Sequence, residues 1–254
     1  MAVMDEFREE RERMKSQPFK QRFAYFWDYH KYHVLAGAFV LFFVVDLVYT
    51  WITAKDTVFM AALINCYADA EQTEAYVENL SLEYGINTKK EEIMLNTDIR
   101  LTGEDATDYE TVQLISVRLA AHEIDVMMTD KDTFDTYARS EMFYDLRTVL
   151  TPEQIAYYED SFYYIDYALI EEGYYENFDY ATTEFVDTLN HASPEGMKKP
   201  IPVGIYVTPG EEFGEYYRYG KDKEVVFGIA GYVVDRHLEY SLKFLDTVTG
   251  RVSE

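Results

Sequence analysis

The chain has a single cysteine, Cys66, in 254 residues. No intrachain disulfide can form, so a domain on an oxidising side of a membrane must rest on its hydrophobic core. Other absences narrow the function. There is no Walker loop, no Gly-x-Ser-x-Gly elbow, no dinucleotide fingerprint and no Cys/His zinc spacing. The five histidines, His30, His33, His122, His191 and His237, stand without motif context, and no nucleophile–base–orienter set is visible. Catalysis is therefore the least favoured class, and no catalytic residue is assigned. His30 and His33 are i,i+3 neighbours without a third ligand; neither metal nor cofactor is expected. Asp130-x-Asp132-x-x-Asp135 lacks the glycine and distant glutamate of a calcium loop and reads as a helix start.

Basic side chains are scarce where they would matter. The formal net charge is −24, and residues 53–254 hold sixteen basic against forty acidic side chains. Phosphate recognition needs Lys and Arg clusters, so no nucleic-acid partner is expected. The imbalance keeps an exposed domain soluble. It also favours a cationic ligand or a basic partner.

What the chain does have is a run of nineteen residues, Val34 to Ile52, with Asp46 as its one charge. As a helix it is roughly 28 Å long, close to the hydrocarbon thickness of a bilayer. It is longer than a signal-peptide core and follows 33 mostly polar residues, so it reads as an uncleaved anchor. Residues 1–33 hold seven Lys and Arg, and only Lys55 lies just after the run. The positive-inside rule places residues 1–33 in the cytoplasm and residues 57–254 outside the cell. Trp27 at the inner edge and Trp51 at the outer edge fit aromatic belts at the lipid boundary. Phe19, Phe23 and Phe26 recur at helical spacing, which suits a helix lying among headgroups or docking a membrane partner. Asp46 either reaches water near the outer interface or bonds a partner helix or a second copy of the chain.

The outer domain alternates strands and helices. Val58 to Ile64 is continuously apolar, as in a strand buried on both faces. A helix follows from Asp69 to Tyr84, ended by Gly85. Then come a strand at Ile93–Leu95, a helix from Asp108 to Ala121 with Asp108 as N-cap, a strand at 124–128 and a helix from Lys131 to Arg139. This order predicts an α/β fold with a mostly parallel sheet and helices on both faces. Thr151-Pro152-Glu153-Gln154 is a capping box. Phe162 to Ile170, Val203 to Val207 and Val225 to Ile229 read as strands, and 236–248 as a closing helix. Residues 157–200 form a tyrosine-rich insert, with eight tyrosines between 157 and 180.

In an open α/β sheet, ligands bind beyond the carboxyl ends of the strands. Those ends are Asn65 to Asp69, Asn96 to Asp98, Thr129 to Asp132, Thr208 to Gly210 and Gly228 to Tyr232. The candidate ligand contacts are Tyr67, Asp69, Thr97, Asp98, Thr129, Asp130, Gly231 and Tyr232. Asp69, Asp98 and Asp130 would cluster on one rim and bind a cation or a polar nutrient, or else serve as caps and turns.

Residues 114–146 read LISVRLAAHEIDVMMTDKDTFDTYARSEMFYDL. Asp125-Val126, Phe134, Tyr137-Ala138, Phe143 and Asp145-Leu146 resemble the first-lobe signature of bacterial extracellular solute-binding proteins. Gly228-Ile229-Ala230 and His237 to Leu245 are similar to that family's returning strand and helix. The aromatic lead-in and span resemble single-span membrane proteins of Gram-positive bacteria. The resemblance implies one type II periplasmic-binding-protein-like lobe held to the membrane. It also implies a small-molecule ligand and partners among ABC-type transporter subunits. The alternative is a non-catalytic accessory or scaffold subunit that binds another membrane protein.

Overall fold

The computed structural model describes residues 18–101, 106–174 and 189–251. The chain divides into two compact units, Met1–Ala54 and Lys55–Glu254.

In the first unit, one helix, α1 (Phe19–Thr53), carries the apolar run. Its portion His30–Thr53, 24 residues, is long and apolar enough to cross a membrane, and none of it is buried. Phe19, Phe23 and Trp27 stack at i,i+4 spacing, with ring centroids 6.4 and 6.3 Å apart. Trp51 is exposed near the other end. Asp46 makes no hydrogen bond or ion pair among the described residues.

The second unit is built on a six-stranded sheet whose strands stand side by side in the order Glu91–Asn96, Asp56–Leu63, Val126–Asp130, Val225–Ile229, Pro200–Val207 and Phe162–Asp166. In chain order its elements begin with β1 (Asp56–Leu63), β2 (Tyr67–Ala68), α2 (Ala70–Glu83), β3 (Glu91–Asn96), α3 (Ala106–Ala120), β4 (Val126–Asp130) and α4 (Lys131–Ala138). They continue with α5 (Pro152–Tyr158), β5 (Phe162–Asp166), α6 (Tyr167–Glu171), β6 (Pro200–Val207), α7 (Glu211–Tyr216), β7 (Tyr217–Arg218), β8 (Val225–Ile229) and α8 (Asp235–Thr249). β2 and β7 form a separate two-stranded ribbon.

Local chemistry accounts for most boundaries. Asp69 caps α2 by accepting from Glu71 and Gln72 N–H at 3.0 and 3.3 Å. Gly85, at φ 69°, ends the same helix in the left-handed conformation that glycine adopts freely. Thr151 and Gln154 form the reciprocal capping box of α5. Val58 to Ile64 is buried throughout, as a strand covered on both faces must be.

The sheet is mixed, which corrects the mostly parallel expectation. β1 runs parallel to β3 and β4, whereas β4–β8, β8–β6 and β6–β5 are antiparallel. An apolar strand such as Val225–Ile229 satisfies either direction, so its hydrophobicity carries no directional signal. Helices do cover both faces. Successive strand residues point to opposite sides. Phe227 packs against Phe244 of α8, with centroids 6.2 Å apart, while the next residue, Gly228, faces Phe134 of α4. Gly204 on β6 faces the same ring. Phe134 thus lies on a bare glycine patch, flanked by Phe143 at 4.9 Å and Tyr163 at 5.1 Å.

Two further boundaries differ from expectation. α3 begins at Ala106, so Asp108 lies within it and is not its cap. The strand expected from Phe162 to Ile170 stops at Asp166 and becomes α6. The Asp166 carboxylate turns the chain there, accepting from Ala168, Lys198 and Lys199 N–H at 3.2, 2.9 and 2.9 Å. The tyrosines of the insert serve the core in part: Tyr158 and Tyr163 are buried, and Tyr158 donates to Asp246. Residues 175–188 of that insert lie outside the described residues.

A methyl group at Gly228 would come within 2.7 Å of Phe134 Cε2. Gly228→Ala is predicted to cost about 1–3 kcal/mol in urea unfolding, and a change below about 0.5 kcal/mol would contradict the seat described for Phe134.

Candidate functional site

β1 leads through α2 to its neighbour β3 on one side, and the chain then returns through α3 to β4 on the other side of β1. Such a reversal leaves a crevice at the carboxyl ends of the two diverging strands. A cleft of about 580 Å³ lies there. Its wall includes Asn65 after β1, Arg100 and Leu101 after β3, Val112 of α3, Asp130 at the end of β4, Thr133, Thr136 and Tyr137 of α4, and Tyr219 and Lys223 before β8.

Asp130 is the centre of this arrangement. It is 5% exposed. Oδ2 accepts from Asn65 Nδ2 at 2.7 Å and from Thr133 Oγ1 at 3.0 Å, and Oδ1 accepts from Thr133 N–H at 3.3 Å as the N-cap of α4. Lys223 Nζ stands 3.9 Å from Oδ1 and 3.3 Å from Asp132 Oδ2. Burial pushes the Asp130 carboxyl up. The hydrogen bonds from Asn65 and Thr133, with the nearby Lys223 charge, outweigh burial and hold it below the usual carboxylate range.

Asn65 ties the same point to a third segment. Its Oδ1 accepts from Leu101 N–H at 2.7 Å, and its own N–H donates to Ile99 O at 3.0 Å. Its backbone sits at φ 59°, a region asparagine tolerates better than other side-chain-bearing residues. Tyr219 closes the floor by donating to Met128 O at 3.0 Å. Beside it, burial pushes the Cys66 thiol up to about 11, so the lone cysteine is an unreactive core residue.

The eight expected contacts separate. Tyr67 and Asp130 line the cleft. Thr129 is fully buried beneath it. Asp69 is the α2 cap. Thr97 and Asp98 line a neighbouring groove between α2 and β3. Gly231 and Tyr232 do not belong to the rim, because β8 runs antiparallel to β4 and ends at the other edge of the sheet. There Tyr232 Oη donates to Ile124 O and accepts from Ile124 N–H, at the start of β4. The expected acidic cluster of Asp69, Asp98 and Asp130 therefore does not line one cleft; of the three, Asp130 alone borders it.

Asn65, Arg100, Thr133, Tyr219 and Lys223 were not among the expected contacts. Arg100 is exposed and lies over the Tyr67 ring, 4.2 Å from its centroid. Asn65, first residue of one predicted strand end, carried a local signal as a turn-forming residue. Arg100 and Thr133 lie just beyond the expected strand ends at Asp98 and Asp132, and Tyr219 and Lys223 arrive on a segment whose approach depends on strand direction.

A second concavity, of about 390 Å³, lies at the other edge among Thr57, Met60, Arg118, His122, Asp125 and His237. Asp125 is buried, accepts from Met60 N–H at 2.8 Å and meets His237 Nδ1 at 3.0 Å. Ser241 Oγ donates to the His237 carbonyl oxygen at 2.7 Å, and among the described residues no hydroxyl or thiol bonds the His237 ring. No group of three or more His, Cys, Asp or Glu converges as a metal cage among them either.

Asp130→Asn keeps the shape but loses the charge that Thr133 N–H, Asn65 and Lys223 face. A cost of about 1–2 kcal/mol at pH 7 is predicted. Because the folded-state value is depressed, the carboxylate contributes fully above about pH 5. That contribution shrinks as pH falls below the unfolded aspartate value of about 3.9 and is lost once pH passes below the folded value. Urea unfolding of both chains from pH 7 to pH 3 checks this; a gap that widens towards acid would contradict it.

No family model, curated protein or solved structure matches this chain.

Proposed function

We propose that this chain is a membrane-anchored extracellular binding domain of the solute-binding type, working with a membrane transport system. The supporting observation is the cleft at the β1–β4 switch point, the position where open α/β sheets hold small ligands. Its volume lies within the range of small-molecule sites. The helix His30–Thr53 supplies an anchor of the right length. The excess of Lys and Arg before it favours a cytoplasmic N-terminus and an exterior domain. One lobe of the solute-binding type fits delivery to or sensing for a neighbouring transporter.

Asp46 supports the membrane partner. It lies three residues from the middle of Val34–Ile52, or about 4.5 Å along the helix axis. Half the hydrocarbon thickness is about 15 Å, so about 10 Å of lipid separates it from the outer interface. An aspartate side chain is too short to cover that distance. In a bilayer its carboxylate calls for a donor on a neighbouring membrane helix, as ABC-type transporter subunits or another membrane protein would provide.

The test uses the full chain in lipid nanodiscs, screened for thermal stabilisation by sugars, amino acids, peptides, organic acids and polyamines. At least one class is predicted to raise the midpoint by several degrees. Thr136→Trp, which fills the cleft from an exposed position, is predicted to abolish the shift. No stabilisation by any class, or a shift that survives Thr136→Trp, would contradict the proposal. In gentle detergent the wild-type chain is predicted to migrate in a larger particle than Asp46→Leu; equal sizes would remove the transport partner from the account.

A further inference from the structure

The groups around the cleft differ in what they still have to offer a ligand. Asp130 has both oxygens engaged, by Asn65, Thr133 and Lys223. Asp132 faces Lys223, and Lys131 faces Asp135 at 3.1 Å. Asn65 uses its oxygen on Leu101 and its amide nitrogen on Asp130. Tyr219 donates into the floor. Arg100 is different. It is exposed, lines the cleft, and makes no ion pair or hydrogen bond among the described residues. In a chain of net charge −24, an arginine without a carboxylate partner is conspicuous.

We propose that the cleft binds a small organic monoanion, a carboxylate with an apolar body, whose charged end is taken by Arg100. The inference rests on reading the cleft as a binding site and names the chemistry it accepts. A guanidinium has five N–H donors in one plane, matched to the two oxygens of a carboxylate. Tyr67 lies beneath Arg100 at 4.2 Å and supports the side chain through the π face of its ring, leaving the in-plane donors for a ligand. Leu101 and Val112 supply apolar wall for the remainder of the molecule.

The charge of the ligand follows from the same surroundings. Among the described residues lining the cleft, Arg100 is the one cation without an acidic partner, and it offsets one negative charge. A dianion such as a phosphate monoester would bring a second charge against Asp130, Asp132 and the acidic domain around them. A cation at Asp130 would have to displace Asn65, Thr133 or Lys223, and at the exposed Asp132 it would share the carboxylate with Lys223. The composition of the chain favours cations overall, and the local geometry reverses that preference at this one place.

The full chain in nanodiscs is titrated by calorimetry with three probes of one shape: 3-phenylpropionate, the neutral 3-phenylpropanamide and the cationic 3-phenylpropylamine. The carboxylate is predicted to bind at least tenfold more tightly than the amide, and the amine not to bind. Arg100→Gln is predicted to bring carboxylate and amide within about twofold. Arg100→Lys, which keeps the charge and loses the fork, is predicted to fall between. Arg100 is exposed and unpaired, so both variants are expected to unfold at the wild-type temperature without ligand. Tighter binding of the amine or amide, or a carboxylate preference that survives Arg100→Gln, overturns the anion assignment while leaving the cleft a binding site. No binding of any probe also overturns it, and the wider solute screen then decides separately whether the cleft binds anything.

Discussion

One buried carboxylate holds the candidate site together. Asp130 joins the end of β1 through Asn65, the start of α4 through Thr133 and the approach to β8 through Lys223. Asn65 extends the tie to the segment after β3 through Ile99 and Leu101. Two stretches distant in sequence, at Asn65 and Lys223, therefore meet this carboxylate, and a third, after β3, is tied to it through Asn65. A carboxylate that is 5% exposed and lacked these donors would carry a large desolvation cost. The Asn65 amide in turn spans the gap between this carboxylate and the Leu101 N–H. This linkage fixes the rim of the cleft, and with it the places of Arg100 and Tyr67.

Strand direction decides what else reaches that rim. Because β8 runs against β4, its N-terminal approach, carrying Tyr219 and Lys223, arrives beside Asp130, and its C-terminal exit, Gly231 and Tyr232, leaves at the opposite edge. Had β8 been parallel, the two segments would have exchanged roles. The glycine seat beneath Phe134 helps fix this half of the sheet, since Gly204 and Gly228 let α4 approach two antiparallel strands closely. The helix that begins at Asp130 thus packs through Phe134 against the strands that bring Lys223.

Much of the local structure was legible in the residues. The apolar run Val58 to Ile64, the cap at Asp69, the stop at Gly85, the capping box at Thr151 and the strand at Val225–Ile229 each follow from short-range chemistry, and each stands where periodicity and capping rules put it. Asp130 was found for the same reason, as a helix start at a strand end. Direction was not legible, because a buried apolar strand reads alike both ways, and the error moved Gly231 and Tyr232 to the wrong edge. The end of β5 was hidden because the groups that turn the chain at Asp166, the amides of Lys198 and Lys199, lie some thirty residues away. Arg100 stayed hidden because its significance is a missing partner, which only a structure reveals.

The account depends most on the Asn65–Asp130 bond as the tie that builds the site. A double-mutant cycle with Asn65→Ala and Asp130→Ala, read by urea unfolding at pH 7, measures it directly. The predicted coupling is about 1 kcal/mol or more, since each single variant removes a 2.7 Å hydrogen bond to a carboxylate. Additivity within about 0.3 kcal/mol would show that the two residues act independently, and the carboxylate node would no longer explain the cleft.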